Sequence, residues 1–154
     1  GLNTNEIGYI VGCAAAVDMV MFPLAGYLMD NKGRRTTLVC CLAFLSLAIF
    51  LIPFSNSFIT LLGCAMLAGF GNGLGSGINM TMGADFAPSS IRGEFLGVWR
   101  LMSDAGSFTG PLITGYIASS FMLAAAFPVS SAFGLVGICL VIFGVKETLQ
   151  PKPE

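Results

Sequence analysis

The sequence predicts an all-α, polytopic membrane helical bundle, on three observations. First, 55% of its 154 residues are hydrophobic and 10% are charged, and the mean hydropathy is +0.85. A soluble domain is about a quarter charged, and so few charges could not cover its surface. Second, five stretches, 7–29, 36–54, 58–82, 95–119 and 121–145, each approach or exceed the roughly twenty apolar residues a helix needs to cross a bilayer core. A soluble core helix or a buried strand would be shorter and would not recur five times at this length. Third, none of the stretches alternates with period two in segments of about ten residues, as the strands of a membrane barrel would.

Each predicted span has a polar or turn signal at its ends. The first follows Glu6 and ends at the cluster 30–35, where Asp30, Lys32, Arg34 and Arg35 are four of the fifteen charged residues. Pro53 and the Ser55-Asn56-Ser57 turn close the second. The segment DFAPSSIRGE, 85–94, separates the third from the fourth, and the fourth and fifth meet at Ser119-Ser120 as a tight antiparallel hairpin. With five spans the loops alternate sides. Lys32, Arg34, Arg35, Arg92, Arg100, Lys146 and Lys152, all seven cations, fall on one side. The positive-inside rule makes that side cytoplasmic. The expectation is an integral, multi-pass protein of a plasma or inner membrane, embedded in the lipid bilayer, with its amino end outside and its carboxyl end inside. Residues 1–154 read as a single transmembrane domain. Gly1 follows no basic segment or cleavage pattern, so the chain reads as part of a larger protein rather than one opening on a signal peptide.

Composition also narrows the chemistry. The net charge is −1 and no basic patch is interleaved with aromatics, which argues against a nucleic-acid partner. There is no histidine, and the five cysteines, Cys13, Cys40, Cys41, Cys64 and Cys139, have no CxxC spacing. Neither a zinc-type metal site nor a Ser-His-Asp arrangement can be assembled from this set. The cysteines read as small apolar residues of membrane helices. No cofactor is expected, and no enzyme activity.

The cluster at 30–35 has a pattern beyond its charge. Gly26 and Asp30 are four residues apart and share a helix face. Gly33 suits the left-handed conformation that ends a helix, and Arg34 and Arg35 then open the next span near the headgroups. A carboxylate beside arginines at the membrane edge can form charge-assisted bonds that lock two helices or release them. Gly26, Asp30, Gly33, Arg34 and Arg35 resemble the G-x-x-x-D-R/K-x-G-R-R/K motif between paired helices of the major facilitator superfamily of secondary transporters. Asn31 departs from the motif, which has a basic residue there, and Lys32 lies beside it. Residues 83–97, GADFAPSSIRGEFLG, are similar to the family's cytoplasmic loop two helices later. Gly106, Gly110, Pro111 and Gly115 resemble its G-x-x-x-G-P-x-x-x-G helix, and the ending VKETLQPKPE resembles its tail. The resemblance implies that the five spans correspond to helices eight to twelve of a twelve-helix unit. The chain would then be an incomplete carboxyl-terminal half whose partner is the missing amino-terminal half. It also implies that the motif forms part of a cytoplasmic gate.

Polar groups within the spans are the remaining candidates. Asp18 lies twelve residues before Asp30, or about 18 Å along a helix, near the bilayer middle. A carboxylate there must face the bundle interior or water. It reads either as the group that carries protons, because desolvation favours the neutral acid, or as a structural hydrogen-bonding residue. Arg100 and Asp104, four apart, can pair along one face as a gate or structural salt bridge. In the third span Gly69, Gly73 and Gly77 form one small stripe and Gly71 and Gly75 another, each suited to close helix approach. Asn72 and Asn79, two turns apart, are candidates to line a cavity. Gly110-Pro111 removes a backbone bond and is a place for the fourth span to bend.

These residues point to transport of a small organic solute by alternating access, coupled to protons through Asp18 and running as efflux or antiport. The rival is a truncated or non-transporting membrane scaffold.

Overall fold

The computed structural model describes residues 3–120 and 122–147, and every element among them is helical. Six α-helices follow in order: α1 Thr4–Asn31, α2 Arg34–Leu51, α3 Phe58–Gly75, α4 Ile78–Phe86, α5 Arg92–Ser120 and α6 Leu123–Gly144, with one 3-10 turn, Ile52–Phe54, after α2. Phe121 and Lys152 lie outside the described residues.

Local chemistry sets the boundaries. Asn3 and Glu6 form a capping box at the start of α1, the Asn3 N–H donating to Glu6 Oε2 at 2.7 Å. Ser57 and Thr60 do the same for α3. Pro53 sits in the first turn of the 3-10 element, where a missing N–H costs nothing.

The predicted third span is one apolar stretch in sequence and two helices in space. The backbone breaks at Ser76 and Gly77, where Gly77 takes φ +81° and starts α4. That left-handed turn strongly favours glycine, so Gly77 is a hinge of the backbone rather than the third member of a packing stripe. A Cβ there would meet nothing within 4 Å. By contrast α5 runs as one helix through Gly110-Pro111.

The packing is inside-out by the standard of a soluble protein. Ala25, Ala48, Thr37, Ser46 and Ser131 are buried, beside a few larger residues such as Leu74 and Ile78, while Phe143, Ile59 and Tyr116 stand out from the surface. Small residues inside and large apolar ones outside is the arrangement lipid favours, because helices associate by close backbone approach there. A Cβ on Gly73 would lie 2.5 Å from the Asp18 carbonyl oxygen, and one on Gly69 would strike the Ala14 carbonyl. Those two glycines therefore let α3 lie directly on α1. Gly71 and Gly75 face the other way: their Cβ atoms would lie 2.9 Å from Leu45 N and 2.6 Å from Cys41 Sγ on α2. A cluster of Ala25, Cys41 and Leu74, flanked by Phe44 and Phe70, knits the three helices. The Phe44 and Phe70 rings meet edge-on at 4.8 Å. On its far side α2 takes α6, where Ser131 Oγ donates to the Ser46 carbonyl at 2.8 Å. Helix α5 packs on α6 and touches α4, and none of its residues is buried.

Among the described residues, four segments are long and apolar enough to cross a membrane: Thr4–Asn31, Arg34–Phe54, Phe58–Phe86 and Leu123–Gly144. The fourth predicted span, 95–119, corresponds to α5, which at 29 residues has the length but carries Arg92, Glu94, Arg100 and Asp104.

Candidate functional site

Three polar clusters occupy three places in the bundle. One arginine organises the first. Gly33, with φ +99°, reverses the chain after α1 and caps α2, so that Arg34 opens that helix beside the end of α1. Arg34 Nε meets Asp85 Oδ2, at the end of α4, at 3.2 Å. Its Nη1 donates to the Met29 carbonyl at 2.9 Å and lies 3.8 Å from Asp30 Oδ1. Arg34 is only 17% exposed and Asp85 29%, against 67% for Asp30. The better-sheltered partner is therefore Asp85, since pairing weakens as water competes.

The carboxylate of Glu147, just past α6, closes the cluster. Its two oxygens accept the backbone N–H groups of Arg34 at 2.8 Å and Arg35 at 3.2 Å. These are donors with no partner inside the helix, at its electropositive end. A side chain on Gly33 would collide with that carboxylate, so Gly33 is required for close approach as well as for its backbone angle. Arg35 donates to the Ile142 carbonyl of α6. Thr37 Oγ1, buried, ties back to the Gly33 carbonyl at 2.8 Å. The ends of α1, α4 and α6 thus converge on the start of α2.

Of the motif residues, Asp30, Gly33, Arg34 and Arg35 take part. Gly26 has no atom within 4 Å of where its Cβ would be. Asn31 turns back to the Tyr27 carbonyl. Asp85 and Glu147 were outside the predicted motif. Both lie in stretches already quoted for their family resemblance, residues 83–97 and the ending VKETLQPKPE.

The second cluster lies midway along α1. Asn72 Nδ2 donates to Asp18 Oδ1 at 3.0 Å, bridging α3 and α1. Gly73, next to Asn72, is what brings the two backbones close enough for so short a side-chain bond.

The third lies between α4 and α5. The Trp99 indole N–H is shared between the Asn79 carbonyl at 2.9 Å and Asn79 Oδ1 at 2.8 Å, while Asn79 Nδ2 donates to Ser103 Oγ at 2.9 Å. The Trp99 ring covers Gly83. One turn along α5, Arg100 Nε meets both oxygens of Asp104 at 3.2 Å. The break at Ser76-Gly77 has a consequence here. Asn72 and Asn79 do not share one face; Asn72 joins Asp18, and Asn79 joins Trp99 and Ser103. Trp99 and Ser103 are members that the sequence pattern did not single out. Gly106, Gly110 and Gly115 face open space, and a shallow groove lined by Gly106, Gly110, Thr114 and Ser130 runs between α5 and α6.

A helical bundle with small residues inside, apolar bulk outside and charge gathered at helix ends is a membrane protein. Residues 1–154 match the model of the Major Facilitator Superfamily, and the chain belongs to that family. It is 29% identical to the uncharacterized MFS-type transporter YuxJ of Bacillus subtilis over 140 residues, 91% of this chain and 36% of that protein. It is 29% identical to Multidrug resistance protein 1 of the same organism, over 99% of this chain and 39% of that protein. To the cis,cis-muconate transport protein of Acinetobacter baylyi it is 28% identical, over 99% and 37%. The chain therefore spans well under half the length of the relatives it matches. The first of those relatives is named as a transporter and the third as a transport protein for cis,cis-muconate, which agrees with a family of membrane transporters.

Proposed function

We propose that this chain is the carboxyl-terminal part of a secondary transporter, moving a small organic solute by alternating access with protons as the coupling ion. The observation that carries the reading is the Arg34 cluster. One arginine and one helix end are held by carboxylates from three other segments, with Asp85 the sheltered partner and Asp30 an exposed one. Such a latch can hold the cytoplasmic ends together in one state and release them in the other, at a cost of a few kcal/mol. Asp18 serves as the proton-carrying group. Its carboxylate is held by an amide rather than a cation, Asn72 Nδ2 donating to Oδ1 at 3.0 Å. The amino end lies outside, the carboxyl end lies inside, and the missing amino-terminal half supplies the other bundle. Export is the assigned direction, on the weakly polar character of the spans.

In the complete transporter, Asp18→Asn is expected to preserve solute counterflow in proteoliposomes and to abolish accumulation driven by a proton gradient. Gradient-driven accumulation at the parent rate would make Asp18 structural. Absence of counterflow from the parent itself would favour a non-transporting scaffold. For orientation, a cysteine at position 56 should react with an impermeant reagent from outside; reaction only from the cytoplasm would reverse the topology.

A further inference from the structure

We propose that the cleft between α4 and α5 holds the transported solute, and that it takes a small organic anion whose carboxylate docks on Arg100; this rests on the transporter reading above. The cleft has a volume of about 400 Å³ and is lined by Asn79, Trp99, Arg100, Ser103, Asp104 and Ser107, with apolar contributions beside them. That volume falls within the range of small-molecule sites, roughly 300–1,000 Å³.

The pairing geometry selects the class of solute. Arg100 and Asp104 are 68% and 61% exposed, and both line the cleft. Asp104 occupies only the Nε corner of the guanidinium. Nη1 and Nη2 bond to none of the described residues, and together they offer two parallel donors that match a carboxylate. Asp104 balances the arginine while the cleft is empty and fixes the plane of its fork.

The other polar groups set what else the solute carries. Asn79 gives one Nδ2 hydrogen to Ser103, and its backbone and side-chain oxygens both accept from Trp99, which leaves its second amide N–H bonded to none of the described residues. Ser107 spends its proton on the Ser103 carbonyl at 3.1 Å, which leaves its oxygen able to accept. The cleft therefore complements a carboxylate at Arg100 and a hydroxyl that donates to Ser107, with the Trp99 ring beside them as an apolar surface.

The test uses the complete transporter in proteoliposomes and measures counterflow of gluconate, benzoate and cis,cis-muconate, each beside its neutral amide, and of choline. At least one carboxylate should be carried with a kcat/KM about tenfold or more above its amide, the scale of a charge-assisted bidentate pair. Arg100→Gln should erase that preference. Arg100→Lys, which keeps the charge and loses the fork, should lower it severalfold, and it decides the matter if Arg100→Gln fails to fold. Asp104→Asn, which leaves the arginine but loosens the hold on its fork, should lower the preference less than Arg100→Gln does. Amides or choline carried as well as the carboxylates would overturn the proposal and leave the transporter reading standing. The same holds for an undiminished preference in Arg100→Gln, or a loss in Asp104→Asn as complete as in Arg100→Gln. Counterflow of none of the seven probes would count against both.

Discussion

Helices α3 and α5 both carry glycines at helical spacing, and the bundle uses them in opposite ways. In α3 the backbones of α1 and α2 press against Gly69, Gly71 and Gly73, all of them buried. In α5 a Cβ on Gly106, Gly110 or Gly115 would meet nothing within 4 Å. A small stripe therefore permits a close helix contact without specifying that one is made. What distinguishes α3 is its position between two helices that can reach it, and position is a property of the whole chain.

The largest expected difference between these helices follows directly. Gly73→Leu forces a side chain into the Asp18 carbonyl and the Met21 Cβ, which an added Cβ would already approach to 2.5 and 2.6 Å. Overpacking against backbone of this kind is expected to cost at least about 3 kcal/mol, because α1 and α3 must part. Gly110→Leu in α5 should change stability by no more than about 0.5 kcal/mol. Thermal unfolding of the two 154-residue variants in detergent measures both. Equal losses would mean that the α5 face is packed after all, and the contrast between the helices would fall.

This contrast also marks how far the sequence could be read. Length and hydropathy place all five apolar stretches within a few residues, because a span of lipid is long and its chemical demand is uniform. The pairing of Gly69 and Gly73 with one neighbour and of Gly71 and Gly75 with another follows from the 3.6-residue period. The break at Ser76-Gly77 was illegible, since Ser-Gly within an apolar run is ordinary in a membrane helix and only its φ of +81° reveals the turn. The Arg34 cluster was half legible. Residues 26–35 are contiguous and carry a pattern, whereas Asp85 and Glu147 arrive from 51 and 113 positions away along the chain. Contacts at that separation leave no periodic signature. The same limit hid Trp99 and Ser103, which meet Asn79 only once α4 and α5 lie side by side.

An intermediate effect sharpens the comparison at the Arg34 cluster, where α2 begins. Glu147→Gln removes the charge from a carboxylate that accepts two N–H bonds at the start of α2. The expected loss is about 1 kcal/mol, combining the helix-end charge with weakened hydrogen bonds. Asp30→Asn should cost only a few tenths of a kcal/mol, because its pair with Arg34 is long and exposed. Transport is expected to follow the same order, with Glu147→Gln slowing the cycle more than Asp30→Asn while membrane insertion stays intact. Hydrogen exchange of the Arg34 and Arg35 amides reads the local change. Faster exchange in Asp30→Asn than in Glu147→Gln would show that Asp30 is the principal anchor and Glu147 an accessory.

The smallest effect is also the most discriminating, because it differs in sign. Replacing glycine by alanine in a helix removes backbone freedom from the unfolded chain and gains about 0.5–1 kcal/mol where the methyl group has room. Gly115→Ala in α5 meets that condition, since nothing lies within 4 Å of the new Cβ. Gly71→Ala in α3 does not: the methyl would sit 2.9 Å from Leu45 N and 3.0 Å from Phe44 Cβ, and a backbone atom cannot swing aside as a side-chain end can. The clash must be relieved by moving α2 from α3, which also loosens the Phe44–Phe70 contact, so the gain in helix propensity is outweighed. The expectation is a modest rise in stability for Gly115→Ala and a fall for Gly71→Ala, measured side by side in detergent. Two changes of the same sign would show that propensity or lipid packing, rather than the neighbouring backbone, sets the cost of a methyl group in these helices. The close approach of α2 and α3 would then be softer than its distances imply.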